Sequence, residues 1–324
     1  MMKLVRAAAL LLAAIWPALP IPVQAQQYPT RPVRLIIPWP PGGITDVISR
    51  GLGAALTESL GQQVIPDNRP GAAGTLGVGI GAQANPDGYT LLMTDVPSLA
   101  ISATLRPNLP YDPLKALEPI ALPSRSPLVL VVNPKLGIKS IQQLIEYAKP
   151  KGKDFSFASS GPGSITHLTS ERFSRETGLS PLHVPYKGGS PATAALVTGE
   201  AGMYFACIAA AIPHIKAGRL TLLGVTSPQR TKVFPDAPAV AEVLPKFEMG
   251  CNTGFFAPAG TPKPIIERLH AEAMKAVQQP RMKALLAQNA AEPAPYTPAQ
   301  FKQHVADEVK SWGAVVRAAG LKLE

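Results

Sequence analysis

Apolar and polar positions along this chain follow two periodicities, which predict strands and helices in turn. Residues 33–38, apart from Arg34, and residues 128–132 are apolar runs, typical of parallel strands that are covered on both faces. Residues 45–60 instead repeat their apolar positions at helical spacing and stop at Gly61, a common residue after a helix end. The same reasoning predicts further strands at 63–65, 89–93, 155–158 and 220–225, helices at 75–84, 140–149, 165–173 and 262–277, and a last helix opened by Thr297 and Pro298.

The order of these elements predicts an α/β fold with two lobes of similar size. An alanine-rich helix ends at Gly199, and beyond residue 226 the pattern predicts helices joined by proline loops. Lobe I is expected to comprise 26–122 plus 226–324, and lobe II 123–225. Open α/β sheets bind ligands at the carboxyl ends of their strands, so a ligand cleft is expected between the two lobes.

Two glycine turns join a strand to a helix, one in each predicted lobe. The first lies within 38–46 and the second within 155–164. Such a junction points backbone N–H groups and the positive end of a helix dipole at one spot, which makes it an anion site. The candidate ligand-binding residues are Pro41, Gly42, Gly43, Thr45 and Asp46 at the first turn, Ser159, Ser160, Gly161, Gly163, Ser164 and His167 at the second, Lys187, Gly188 and Gly189 at a third glycine turn, and Gly74, Thr94 and Asp95 after two further strands.

Some of these residues have a second interpretation that the sequence leaves open. Asp46 suits capping of the first helix or orientation of water better than direct contact with a carboxylate, because like charges repel. His167 fits either packing at a helix end or contact with the ligand. Asp95 is either a selectivity residue, for a ligand that also carries an amine, an amide or a ring nitrogen, or a solvated turn residue.

The N-terminus predicts export to the periplasm. Lys3 and Arg6 precede a short apolar run, and 23–25 supply the small residues of a cleavage site, so we expect a signal peptide over 1–25 that is cut after Ala25. Without those two cations the chain has 29 basic and 21 acidic residues, scattered rather than clustered. Because aromatic residues are also few, at 6%, the composition favours a general attraction for anions over a nucleic-acid surface.

The sequence gives little support for a metal site or a catalytic site. The two cysteines, Cys207 and Cys251, lie in apolar neighbourhoods; they could pair in an oxidising compartment, but we expect two buried free thiols. CxxC and HExxH motifs are absent, so neither a metal nor a cofactor is expected. Ser160 and Ser164 lie near His167, but a Ser–His pair without an orienting acid is weak evidence for an enzyme.

Six short motifs occur in order along nearly the whole expected mature chain. They are PWPPGGITD at 38–46, NRPGAAG at 68–74, GYTLL at 88–92, SSGPGS at 159–164 with His167 and Leu168, VPYKGG at 184–189, and APAGTP at 257–262. In these motifs the chain resembles the Bug family, the extracytoplasmic solute-binding proteins of tripartite tricarboxylate transporters. It differs where the family often has an Asp after the motif at 199–200, where a Trp is usual near 252–253, and at Asp95, where small polar residues are usual.

The resemblance implies a type II periplasmic-binding-protein fold, a Venus flytrap with two strands crossing the hinge and lobes that close over a carboxylated ligand. We therefore expect a periplasmic solute-binding protein that acts as a monomer. It would capture a dicarboxylate, an amino acid or an aromatic acid and deliver it to a tripartite tricarboxylate-type membrane transporter. Two alternatives are an accessory ligand sensor for a signalling receptor and a periplasmic hydrolase.

Overall fold

The computed structural model describes residues 28–106 and 108–318, and the predicted signal peptide with its cleavage site after Ala25 lies outside them. The strands are β1 (Val33–Ile37), β2 (Val64–Asn68), β3 (Thr90–Asp95), β4 (Leu117–Val132), β5 (Ser156–Ser159), β6 (Leu182–Pro185), β7 (Met203–Cys207), β8 (Thr221–Val225), β9 (Gly250–Pro258) and β10 (Glu292–Ala294). The helices are α1 (Ile44–Leu60), α2 (Thr75–Ala82), α3 (Val96–Leu105), α4 (Ile141–Ala148), α5 (Ile165–Thr177), α6 (Gly189–Thr198), α7 (Ile208–Lys216), α8 (Lys263–Ala276), α9 (Pro280–Gln288) and α10 (Pro298–Ala318).

The first lobe is built on the parallel strands β2, β1 and β3, in that order. Helix α1 covers this sheet and buries Ile48, Leu52 and Leu56, the face that the periodicity predicts. Gly61 ends the helix with φ 70°, and its N–H donates to the carbonyl of Thr57, so the predicted C-cap is confirmed.

The second lobe repeats this arrangement with β6, β5 and β7 in parallel. The second half of β4 and the strand β8 join it in antiparallel orientation. The predicted helix ends are confirmed here as well. Ser140 caps α4 by accepting the N–H of Gln143 (3.1 Å), and Gly199 ends α6 in the left-handed conformation with φ 91°.

Strands β4 and β9 pass between the lobes. Along its first half, β4 pairs with β9 from Leu117↔Pro258 to Pro127↔Gly250, and its second half pairs with β7. β9 also pairs with β3 of the first lobe. Two long strands therefore connect the lobes, which is the hinge that the resemblance implies. The predicted lobe boundary at 122/123 falls inside β4, and the exact boundaries stay a prediction.

The prediction of helices and proline loops beyond residue 226 was wrong for 250–258, which form a central strand. This segment contains Gly, Asn and Pro, which are poor strand signals, and its burial against β3 and β4 overrides them. Helices α3 and α7 were also missed. Each begins directly after a strand without the glycine turn that marks the other junctions, and α7 contains Pro213.

Helix α10 returns to the first lobe, where it packs against α3 and β4. It begins where the sequence predicts, because the hydroxyl of Thr297 accepts the N–H of Gln300 (3.3 Å). Phe301, Val305 and Trp312 are buried along its inner face. Within the described part of the chain, no helix combines the length and the apolar composition that crossing a bilayer requires.

Candidate ligand-binding cleft

A narrow cavity lies between the lobes at the ends of β1, β3 and β7. Its volume is about 40 Å³, which is more than a single water molecule needs. Both lobes and the crossing strand β9 contribute to its walls. The lining residues are Trp39, Pro40, Gly43, Ile44, Thr45, Asp95, Ser98, Ser160, Ile165, Gly189, Tyr204, Cys207, Ala210 and Cys251.

The cavity is narrow because the lobes touch across it. The hydroxyl of Ser190 on α6 donates to the carbonyl of Pro41 (3.0 Å), and the N–H of Ile165 at the start of α5 donates to the hydroxyl of Ser98 on α3 (3.1 Å). Each bond joins one lobe to the other. The structure therefore shows the cleft closed.

The first glycine turn leaves its helix start uncapped. Gly43 is the N-cap of α1 and supplies no side-chain hydrogen bond to the first turn. Its own N–H has no acceptor among the described residues, and Gly43, Ile44 and Thr45 all line the cavity. The positive end of a 17-residue helix and its free donors thus border the cavity, the arrangement that suits an anion.

Asp46 supports this turn from behind. One carboxylate oxygen accepts the N–H of Gly42 (3.0 Å), and the other accepts from the side chains of Arg50 (2.9 Å) and Asn68 (2.9 Å). Pro41, Gly42 and Asp46 are not among the lining residues. Of the two interpretations of Asp46, the structure shows the one in which it holds the helix start.

The second glycine turn is satisfied internally. The N–H of Ser160 donates to the hydroxyl of Thr166 (2.8 Å), and that of Gly161 donates to the hydroxyl of Ser159 (3.1 Å). Ser164 caps α5 and also donates to the carbonyl of Gly161 (2.7 Å). Of the predicted residues in this turn, only Ser160 reaches the cavity. Most of the donors expected to grip an anion here already have partners.

His167 packs beside this turn rather than in the cavity. Its Nδ1 accepts the N–H of Gly163 (3.1 Å), and its ring stacks on that of His183 with centroids 4.0 Å apart. Burial, together with the nearby His167, lowers the pKa of His183 to about 4. The ring of His167 thus bonds to Gly163 and not to the hydroxyl of Ser164, which instead accepts the backbone N–H of His167 (3.3 Å).

The third glycine turn provides a second uncapped helix start at the cavity. Gly188 is the N-cap of α6 without a side-chain hydrogen bond, and Gly189 lines the cavity. Gly188 has φ 124°, and a Cβ at this position would lie 2.5 Å from the ring of Pro40 in the other lobe. Only glycine allows this close approach. Lys187 is exposed and does not line the cavity.

The two helices that the sequence analysis missed also begin at the cavity. Cys207 is the N-cap of α7 and makes no side-chain hydrogen bond to that helix, and Ala210 of α7 lines the wall. Asp95 is the N-cap of α3 and accepts the N–H of Ser98 (2.9 Å). A usable signal was present for α3, since Asp95 with Pro97 two residues later reads as an N-cap followed by a first-turn proline.

Asp95 is buried, with 4% of its surface exposed, so its interpretation as a solvated turn residue was wrong. Its Oδ2 caps α3, while Oδ1 has no partner among the described residues. Burial is the main cause that raises its pKa to about 7. Thr94 is also buried but does not line the cavity, and Gly74 lies against the ring of Trp39.

Two further polar atoms at the cavity are buried and unpaired within residues 28–106 and 108–318. They are Nε1 of Trp39, in the first glycine turn, and the hydroxyl of Tyr204, which is fully buried on β7. Buried polar groups are normally hydrogen-bonded, so such atoms require an explanation. Sequence reasoning did not select either residue, because nothing in the linear pattern shows which hydroxyl lacks a partner.

Cys207 and Cys251 form a disulfide in the cavity wall, with their Cα atoms 6.0 Å apart. The expectation of two free thiols was wrong. Pairing of β4 with both β7 and β9 brings the two segments together, although 44 residues separate them in sequence. The bond ties the start of α7 to a strand that crosses between the lobes.

A larger open depression of about 720 Å³ lies on the outside of the second lobe, beside Lys139 and Phe234. It borders the start of α4, but Ser140 caps that helix. In the part of the chain that the structure describes, no group of three or more His, Cys, Asp and Glu side chains could hold a metal ion.

The chain is similar in sequence and in structure to known solute-binding proteins. Residues 48–321 match the family described as "Tripartite tricarboxylate transporter family receptor". Protein BugT of Bordetella pertussis is 38% identical over 305 residues, which is 94% of each chain. The structure of the periplasmic binding protein BugD superposes with a TM-score of 0.88 at 30% identity, covering 92% of this chain and all of BugD. MatC of Rhodopseudomonas palustris with bound malate superposes with a TM-score of 0.84 at 32% identity, covering 89% of this chain and all of MatC.

Proposed function

The chain belongs to the tripartite tricarboxylate transporter receptor family, as a Bug-type solute-binding protein rather than an enzyme, and from this membership we propose that it captures a small carboxylate in the periplasm and delivers it to a membrane transporter. Its fold is the two-lobed α/β fold of periplasmic binding proteins. MatC, a structural neighbour at 32% identity, holds malate, and we extend the class of small carboxylates from it to this chain.

One observation carries the proposal. Three uncapped helix starts, those of α1, α6 and α7, meet at one cavity between two lobes that are in contact. A carboxylate placed there would accept backbone N–H groups and lie at the positive ends of three helix dipoles. Each charge-assisted hydrogen bond contributes about 1.5–3 kcal/mol.

Closure also supports delivery. The hydrogen bond between Ser190 and Pro41 joins residues of different lobes. The two edges of the cleft at these residues therefore form one shared surface only while the cleft is closed. A transporter that recognises both edges would distinguish the loaded, closed protein from the open one. In cells, deletion of the protein should abolish uptake of the ligand that it binds, and undiminished uptake would contradict delivery.

Binding is tested by isothermal titration of protein that has been unfolded, dialysed and refolded to remove ligand. The first variant is Gly43→Pro, which removes one cavity-lining N–H at a residue whose φ of −77° proline can adopt. Its matched control is Gly43→Ala, which keeps the N–H and places a Cβ 3.9 Å from the nearest heavy atom. We expect proline to weaken the binding of a carboxylate by about 10- to 150-fold and alanine to change it little. Equal affinities of the two variants would contradict the role of this turn.

A further inference from the structure

Asp95 gives the cavity an acidic group that a plain carboxylate ligand does not satisfy. The residue is 96% buried, and it lines the cavity together with residues from the uncapped start of α1 and Cys251 of β9. Oδ2 accepts the N–H of Ser98, whereas Oδ1 has no hydrogen bond to any described residue; the hydroxyl of Ser98 and the backbone N–H of Asn252 lie near the carboxyl group but do not meet hydrogen-bond geometry. A buried oxygen without a hydrogen bond at a ligand cavity indicates that the bound ligand donates a hydrogen bond to it.

The charges around Asp95 sharpen this conclusion. The charged side chain that acts on it from a neighbouring helix is Glu308 of α10, which is also acidic, and no described Lys, Arg or His forms an ion pair with Asp95. The protein itself thus supplies no cation to this carboxylate. Below about pH 7 the carboxyl group stays protonated in the ligand-free protein, and a cation or N–H donor from the ligand is what allows it to ionise.

The same cavity also offers hydrogen-bond donors. Nε1 of Trp39 and the hydroxyl of Tyr204 are unpaired in the described structure, and the uncapped starts of α1 and α6 add backbone N–H groups. The cavity therefore has one region that suits a carboxylate and one that suits a positively charged nitrogen. The two regions lie within a single small space, so both groups must belong to one compact molecule.

We propose that the ligand is a small amino acid whose ammonium group binds Oδ1 of Asp95 while its carboxylate binds the uncapped helix starts. This inference rests on the proposed capture of a carboxylate and names the second group that the ligand carries. Asp95 is then the residue that selects against acids without nitrogen, because such acids place a second negative charge, or nothing, beside Oδ1.

Capping of α3 alone is the competing explanation for Asp95, and the variant Asp95→Asn separates the two. Asparagine keeps an oxygen for the N–H of Ser98, so the cap survives. Its amide NH₂ then replaces Oδ1 at the cavity, where it repels an ammonium group and donates to a carboxylate. Asp95→Ser is a second variant that also caps but withdraws the group from the cavity. Ser140→Ala is the matched control, since it removes the cap of a helix outside the cleft.

The test is isothermal titration of ligand-free protein with three matched pairs of acids, with and without the amine. These are L-aspartate and succinate, L-glutamate and glutarate, and L-alanine and propionate. We expect the wild-type protein to prefer the amine-bearing member of the pair it binds by at least 10-fold. Asp95→Asn should reduce that ratio at least 10-fold, and Ser140→Ala should leave it unchanged.

The outcomes separate the two proposals. If the wild-type protein binds the acid without the amine as tightly, or if Asp95→Asn and Asp95→Ser leave the ratio unchanged, the selection by Asp95 is refuted while carboxylate capture stands. If no member of any pair binds to refolded protein, this inference is refuted, and carboxylate capture itself is contradicted.

Discussion

Asp95→Asn should make the ligand-free protein more stable, and the gain should grow with pH. The carboxyl group is 96% buried, and its pKa is raised from the ordinary 3.8 to about 7, chiefly by burial and further by Glu308 of α10. The side chain and the backbone N–H of Ser98 oppose this rise in part. Asparagine keeps the cap of α3 but carries no charge at any pH, so the variant isolates the cost of ionising this group.

The sign follows from the raised pKa. Well below pH 3.8 the carboxyl group is protonated in both the folded and the unfolded chain, so its titration does not change the free energy of unfolding. Between pH 4 and 7 the unfolded chain releases the proton while the folded chain retains it, so the stability of the wild type falls with rising pH. In this range each pH unit lowers the free energy of unfolding of the wild type by about 1.4 kcal/mol. From 3.8 to about 7 the loss approaches about 4 kcal/mol and is complete above that range.

The assay is urea unfolding of both proteins, freed of ligand, at several pH values between 4.5 and 8.5. The quantity of interest is the difference in the free energy of unfolding, in which groups common to both proteins cancel. That difference should rise in favour of Asp95→Asn by about 3–4 kcal/mol across the range. Asp112→Asn is the control, because its backbone hydrogen bond to Leu114 lowers the pKa of that exposed carboxyl, which gives the opposite sign. A difference for Asp95→Asn that stays flat with pH would refute the reasoning.

The cleft gives three further predictions. Gly188→Ala should weaken ligand binding at least 10-fold, because its methyl group would lie 2.5 Å from a proline of the other lobe. The control Gly178→Ala, at φ 69° with nothing within 4 Å, should cost only about 1 kcal/mol of stability. Equal effects of the two variants on affinity would count against closure of the cleft. Replacing Cys207 and Cys251 together by serine should lower the free energy of unfolding by about 4 kcal/mol, the loop-closure value for a separation of 44 residues. A reductant should lower the stability of the wild type by the same amount and leave the double variant unchanged. A change below about 1 kcal/mol would contradict a stabilising role of the disulfide. Tyr204→Phe should weaken ligand binding about 10-fold without loss of stability in thermal unfolding, because its hydroxyl has no partner in the described structure; a destabilised variant would show that the hydroxyl is bonded within the protein.

Local signals in the sequence carried the prediction of the fold. Ser140 and Thr297 cap helices, and Gly61 and Gly199 end them, as their residue types predict. These features depend on a few neighbouring residues, so a single sequence reveals them. Strand β9 was not predicted because its structure depends on pairing with β3 and β4, far away in the sequence. The disulfide was missed for the same reason.

The candidate site shows a further limit of local signals. The sequence analysis selected both the serine-rich turn before α5 and the turn at Gly43 as anion sites, because both have glycines between a strand and a helix. The hydroxyls of that serine-rich turn accept its own N–H groups, as Ser159 does for Gly161, and Ser164 caps the helix. Gly43 and Gly188 have no side chain with which to do so, and their helices start uncapped at the cavity. A strand–helix turn is thus a stronger indication of an anion site when its N-cap residue cannot cap, because the donors that a serine or aspartate would satisfy stay available to a ligand.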